Sequence, residues 1–153
     1  MRAANALAIL FASFLASCAS TGDLSQPQPQ MSPSAQLPSK IKADQLVGAW
    51  GLASYHQEGQ RARTITAARS QCKNPYRIAK GPSGGVLMHL ADEKETSELQ
   101  TKGGPDGKDY VGPEGPISEV DREIASFDGK VMTLKWLDPG ASSRFGTMVF
   151  VRC

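Results

Sequence analysis

The sequence is poor in the residues that metal and thiol chemistry needs. Its 153 residues include three cysteines and two histidines. The cysteines lack CxxC spacing and have no neighbouring histidine, so the sequence predicts no metal site, no redox centre and no cofactor. Seventeen Lys and Arg residues against fifteen Asp and Glu give a net charge of +2, which does not favour nucleic acid as a partner.

Long apolar runs are also missing. The longest, residues 3–16, has about 14 residues, whereas a helix that spans a bilayer needs about 20. This run follows Arg2 and ends in small residues, which is the layout of a secretory signal. At its end stands Leu15-Ala16-Ser17-Cys18, which closely resembles the bacterial lipobox.

The lipobox resemblance implies a cellular location and a lipid anchor. In that family the signal is cut just before the cysteine, here Cys18, whose thiol carries a diacylglycerol and whose new amine is usually acylated, with palmitate as a typical chain. The mature chain then begins with Cys18 and Ala19. Many lipoproteins retained at the inner membrane have aspartate at the second position of the mature chain, where this chain has Ala19. We therefore expect this protein at the Gram-negative outer membrane, and the sequence does not distinguish its periplasmic face from its surface face.

The expected export to an oxidising compartment predicts a disulfide. Once Cys18 is used by the lipid, Cys72 and Cys153 form the remaining even pair. The alternative, two free thiols that bind a metal or act in redox chemistry, lacks the spacing that such sites need.

The composition predicts three segments. Residues 1–17 are the lipoprotein signal peptide. Residues 18–43 contain the lipidated cysteine and a disordered linker rich in Pro, Gln and Ser, which cannot bury enough apolar surface to fold and serves as a spacer. Residues 44–153 form a single β-rich domain of ordinary size.

The domain opens with an alternating apolar pattern around Gly48-Ala49-Trp50. This motif is similar to the GxW of the first strand in lipocalin-like barrels, and to the start of the small secreted barrel inhibitors of bacterial metalloproteases. The resemblance implies that an arginine, Arg122 or Arg152, stacks over Trp50 and closes one end of a barrel or lines a ligand site. A tryptophan that only packs in the core is the alternative.

Residues 58–72 fit two structures. Alanine, arginine and glutamine favour a short helix, and Thr64-Ile65-Thr66 favours a strand; the helix is the preferred prediction. The span 61–80 carries six basic residues and no acidic one, which suits either a solvated face or contact with anionic lipid or peptidoglycan.

Two further motifs are interpreted as loops. Residues 81–85 match GxSxG, but an apolar strand pattern follows where a nucleophile elbow needs a helix, so a glycine-rich hairpin turn is predicted and Ser83 is not a nucleophile. Residues 103–116 are rich in Gly and Pro and predict a mobile surface loop. Their acids, Asp106, Asp109 and Glu114, miss the spacing of a calcium loop.

A hairpin is predicted around Asp128. A three-residue turn there pairs Ile124 with Met132 and leaves Arg122 as the only polar residue inside, whereas a two-residue turn buries Glu123. The three-residue turn is preferred because it costs less desolvation.

Short strands with turns about every ten residues predict a small, mainly β domain, an antiparallel sheet or barrel with one short helix at 58–72. No set of nucleophile, base and orienting group emerges, so we expect a non-enzymatic binding or structural domain in the cell envelope. Its expected partners are the membrane, through the lipid anchor, and an envelope protein, polymer or small ligand. The alternative function is a periplasmic protease inhibitor of the small β-barrel type.

Overall fold

The computed structural model describes residues 37–153, and the signal segment, Cys18 and the linker up to residue 36 lie outside these residues. The described chain contains three α-helices and eight strands. The helices are α1 (Ala43–Leu46), α2 (Arg61–Ser70) and α3 (Pro139–Phe145). The strands are β1 (Gly48–Tyr55), β2 (Tyr76–Lys80), β3 (Val86–His89), β4 (Thr96–Gly103), β5 (Asp109–Gly112), β6 (Arg122–Phe127), β7 (Val131–Trp136) and β8 (Thr147–Arg152).

The strands form a closed barrel in chain order, each antiparallel to the next. Strand β8 returns to pair with β1 from Trp50 opposite Arg152 to Tyr55 opposite Thr147. This closure removes the unpaired edges that an open sheet would expose. The predicted mainly β fold is confirmed, and of the two predicted forms the structure is the barrel.

Alternation along the strands fills the interior with apolar side chains. The most buried members of this core come from seven of the strands and from α1: Leu46, Trp50, Ile78, Val86, Met88, Leu99, Val111, Met132, Leu134 and Phe150, with Ile124 and Met148 almost as buried. In the described residues, no helix is both long and apolar enough to cross a membrane.

The predicted helix at 58–72 is confirmed as α2, with a 3-10 turn at each end, Glu58–Gln60 and Gln71–Lys73. It lies outside the barrel against β1 and β8, where Ala68, Tyr55, Val149 and Val151 form a second small core. Close packing requires glycine at position 51, because a Cβ there would lie 1.9 Å from the Ala68 carbonyl oxygen.

A disulfide joins the end of this helical segment to the end of β8. The sulfurs of Cys72 and Cys153 are 2.13 Å apart and their Cα atoms 5.5 Å apart. The bond therefore fixes α2 against the strand pair that closes the barrel.

The predicted hairpin register is wrong. Ile124 pairs with Leu134, not with Met132, because the strands already pair as Phe127 with Met132 next to the turn. The ladder then shifts by one residue between Ile124 and Ser126 at a β-bulge. The turn is tightened by Asp128, whose Oδ1 accepts hydrogen bonds from the backbone N–H groups of Lys130 (2.8 Å) and Val131 (2.6 Å). The extra residue of the bulge restores the predicted buried face, so Arg122 still points inward.

The prediction of a structureless loop over 103–116 is also wrong in part. Strand β5 lies within it, with Tyr110 and Val111 buried. Ordered contacts with the barrel also begin before residue 44. Leu37 bridges to Gly103, and the Ser39 hydroxyl donates to Asp109 Oδ1 at 2.7 Å, so the C-terminal part of the predicted linker packs on the domain.

Candidate ligand site at one end of the barrel

One end of the barrel is closed by Arg152. Its guanidinium carbon lies 4.2 Å from the ring centroid of Trp50, and its nitrogens donate to the backbone carbonyls of Gln45 (2.6 Å), Val47 (3.1 Å) and Gly129 (2.8 Å). The glycine of the GxW motif leaves room for it, since a Cβ at Gly48 would lie 2.6 Å from Arg152 Nη1. Of the two candidate arginines, the structure places Arg152 over Trp50.

Replacing Arg152 with alanine should therefore destabilise the fold. The change removes one cation–π contact and three charge-assisted hydrogen bonds, and because the guanidinium is partly solvated we expect a loss of about 2 kcal/mol in the free energy of unfolding. Chemical denaturation measures it.

Arg144→Ala is the matched control for this change. Arg144 also stacks on a ring, that of Phe145, but its ion pair with Asp92 is exposed, so the loss should be about 0.5 kcal/mol. Equal losses in the two variants would contradict a closing role for Arg152.

A cavity of about 360 Å³ opens at the other end of the barrel. Its wall is mainly apolar and aromatic, and its lining residues are Leu52, Tyr76, His89, Leu90, Ala91, Asp92, Glu93, Arg122, Trp136, Phe145, Met148 and Phe150. Such a volume lies at the small end of the range for ligand sites, roughly 300 to 1,000 Å³.

The wall of this cavity contains a buried charged residue, Arg122, with 2% of its surface exposed. Its guanidinium carbon lies 4.9 Å from the ring centroid of Trp136, its register partner on β7. Among the described residues, Arg122 Nε and Nη2 find no hydrogen-bond acceptor. Burial lowers the pKa of Arg122 from its usual value to about 10, so the guanidinium is still charged at neutral pH.

The nearest acid in sequence, Asp121, acts on the Arg122 charge through space but accepts no hydrogen bond from the buried Nε and Nη2 of Arg122, and its close partner is Lys102. Lys102 Nζ lies 2.6 Å from Asp121 Oδ1, close enough for an ion pair although the angle is not that of a hydrogen bond, and both side chains are almost fully buried. Asp121 Oδ2 accepts from the backbone N–H of Ser118 at 2.6 Å. Asp121 therefore pairs with Lys102 and Ser118, whereas Arg122 faces the cavity inside the barrel.

Other polar groups of the cavity differ in how they are satisfied. Trp136 Nε1 is buried and has no acceptor within the described part of the chain. The Tyr76 hydroxyl accepts from the backbone N–H of His89 at 3.0 Å and lies 3.1 Å from its Nδ1. At the rim, Arg144 binds both carboxylate oxygens of Asp92, at 3.0 and 2.6 Å, and so ties α3 to the β3–β4 turn.

The other residues singled out by the sequence lie away from this cavity or apart from one another. Residues 81–85 form the predicted hairpin turn, and the nearby Glu98 carboxylate accepts from the backbone N–H groups of Ser83 and Gly85. Asp106 accepts from the Tyr110 hydroxyl at 2.6 Å, which lowers its pKa, whereas Asp109 binds the segment before α1. Within residues 37–153 no group of His, Cys, Asp or Glu could hold a metal ion.

Sequence reasoning found Arg122 but missed Trp136, Phe145 and Lys102. The alternation of β7 places Trp136 on the face of Leu134, which was a usable signal. Phe145 ends α3, whose start could have been found from Asp138-Pro139, since Asp138 caps the helix by accepting from the Ala141 N–H at 2.5 Å. Lys102 gave no signal, because lysines are rarely buried.

Comparison of the chain with protein-family models, with curated proteins and with solved structures finds no match. The fold and the site themselves define the class of protein: a single-chain, eight-stranded antiparallel barrel, closed by an arginine at one end and carrying a small aromatic cavity with a buried cation at the other.

Proposed function

We propose that this protein is a lipid-anchored lipoprotein of the bacterial outer membrane whose barrel binds a small ligand without chemical conversion. The observation that carries the proposal is the cavity that contains Arg122. A buried guanidinium with donors that lack hydrogen-bond acceptors lowers the stability of a fold, so its presence in a cavity wall is better explained by a ligand than by packing.

The anchor part of the proposal rests on Leu15-Ala16-Ser17-Cys18 and on the linker. Polyproline geometry gives about 3.1 Å per residue, so some 20 residues between Cys18 and Leu37 would hold the barrel several nanometres from the bilayer. The protease-inhibitor alternative is less well supported, because the inhibitors that the GxW motif resembles use a free N-terminus, which acylation of Cys18 removes.

The anchor is tested by Cys18→Ser. We expect this variant to lose palmitate labelling and to leave the membrane fraction of cells, because the thiol that carries the lipid is gone. Fractionation and metabolic labelling measure both effects. The matched control is Ser17→Ala, which keeps a small residue at the cleavage site and should stay labelled and membrane-bound. Palmitate labelling of the Cys18→Ser variant would overturn the anchor.

A further inference from the structure

We infer that the cavity binds an organic monocarboxylate with an apolar body, and that the carboxylate pairs with Arg122 while the body lies among the aromatic rings. This inference rests on the proposed function, since it names the ligand of the same cavity.

The head group of the ligand is set by the unpaired donors. Arg122 Nε and Nη2 are buried, charged and without an acceptor in the described chain, and they belong to a planar fork that matches the two oxygens of a carboxylate. Trp136 Nε1 is a further unpaired donor, and its ring lies under the same guanidinium. An anion at this position would satisfy groups that the folded chain leaves unsatisfied.

The charge of the ligand is set by what else is charged nearby. Arg122 is the cation of the cavity wall, and the other buried cation in the described chain, Lys102, already has Asp121 as its partner. The remaining charged groups of the wall are two acids, Asp92, whose charge Arg144 already pairs at the rim, and Glu93. One positive charge without a hydrogen-bond acceptor, with the further carboxylate of Glu93 nearby, favours a ligand with a single negative charge over a phosphate monoester.

The body of the ligand is set by the walls. Trp136, Phe145 and Phe150 supply aromatic surface, and Leu52 and Met148 supply aliphatic surface. Burial of apolar ligand atoms against them contributes roughly 25 cal/mol for each Å² removed from water. With about 360 Å³ available, the site suits a short-chain or single-ring acid and excludes a long-chain lipid.

The test compares three probes with the same chain: octanoate, octanol and octyl phosphate. The protein is residues 18–153 with Cys18→Ser, made in an oxidising medium, because the barrel, both cores and the disulfide all lie within residues 37–153. Isothermal titration calorimetry measures each affinity. We expect octanoate to bind about tenfold or more tightly than octanol, as for a hydrogen bond to a buried charge, and octyl phosphate to bind more weakly than octanoate.

Arg122→Met is the decisive variant. It keeps the volume of the side chain and removes the charge, so octanoate should lose its advantage while octanol binding persists. Because the substitution also removes a buried unpaired charge, the variant should melt no lower than the unchanged protein. The matched control is Arg152→Met, which removes the arginine stacked on the other tryptophan at the opposite end and should keep the preference for octanoate.

A second variant keeps the inference testable if Arg122→Met does not fold. Arg122→Lys retains the charge without the planar fork, so octanoate should still bind better than octanol but less tightly than in the unchanged protein. Unaltered octanoate affinity in this variant would exclude the pairing with the fork.

The outcomes separate the inference from the proposed function. If octanol and octanoate bind equally well, the carboxylate head group is wrong and the ligand-binding function stands. If octyl phosphate binds most tightly, the single charge is wrong. If none of the three probes binds, both the inference and the ligand-binding function are overturned.

Discussion

A chain in which both Cys72 and Cys153 are replaced by alanine is expected to lose about 4 kcal/mol of its free energy of unfolding. The disulfide spans a sequence separation of 81 residues, and closing a loop of this length restricts the unfolded chain by about 4 to 5 kcal/mol at 25 °C in the loop-entropy model. Since the stability of a domain is roughly 5 to 15 kcal/mol, this loss is a large part of it.

Urea denaturation of the oxidised protein, the reduced protein and the double variant measures the effect. The reduced protein and the double variant should agree, because the loss comes from the cross-link and not from the cysteine side chains. Cys18→Ser is the control, since it removes a cysteine but keeps the cross-link. A loss under 1 kcal/mol in the double variant would show that helix α2 is held by its packing on Gly51 and the second core alone.

Lys102→Met is expected to lower the free energy of unfolding by about 3 to 5 kcal/mol. Lys102 and Asp121 are 1% and 0% exposed, so removing the lysine leaves a buried carboxylate with no counter-charge. Ser118 would still donate to Asp121 Oδ2, but its hydrogen bonds do not supply a positive charge.

The double variant Lys102→Met/Asp121→Asn isolates that charge. Asparagine keeps an oxygen to accept from the Ser118 N–H, and neither residue of the pair then carries a buried charge, so the double variant should be more stable than Lys102→Met alone by 1 kcal/mol or more. Chemical denaturation measures all three proteins. If Lys102→Met/Asp121→Asn is less stable than Lys102→Met, the loss in the single variant does not come from an uncompensated charge on Asp121. The matched surface control is Lys108→Met, whose ion pair with Glu123 is half exposed and should matter little.

Local signals were enough to predict the class of fold. The two-residue alternation around Trp50 and the turn residues near Gly84 and Asp128 each specify a strand or a hairpin within a few residues, and the structure has them there. The sequence favoured a helix over a strand at residues 58–72 but did not decide between them. The apolar face of α2 is narrow, and the strands that it packs against include β8, which is distant in sequence.

The details that failed depend on how neighbouring strands pair, which the composition of each strand does not specify. Strand β5 was missed because Asp109–Gly112 has only two apolar residues between Gly- and Pro-rich neighbours, and its structure comes from pairing with β4 and β6. The register of the β6–β7 hairpin was missed because a bulge changes the free energy of the local hairpin only a little. Its position is selected by the need to keep Ile124 and Leu134 inside.

The candidate site was predicted only in part for the same reason. The sequence placed Arg122 on an inner face, but it could not show that Arg122 meets Trp136 and not Trp50, or that Asp121 turns away toward Lys102. The first fact follows from the register of the β6–β7 hairpin, which sets Arg122 opposite Trp136. The second depends on the ion pair of Asp121 with Lys102 of β4, and the cavity itself gathers residues of six strands and α3 at one end.

The pairing of β1 with β8 also sets an order of events during folding. Trp50 pairs with Arg152, about 100 residues later, so the first strand has a free hydrogen-bonding edge until the eighth has emerged. Contacts so far apart in sequence form slowly, and an unpaired edge in the meantime invites pairing with other chains. The first strand of this barrel therefore keeps an edge open to pairing with other chains until β8 is in place.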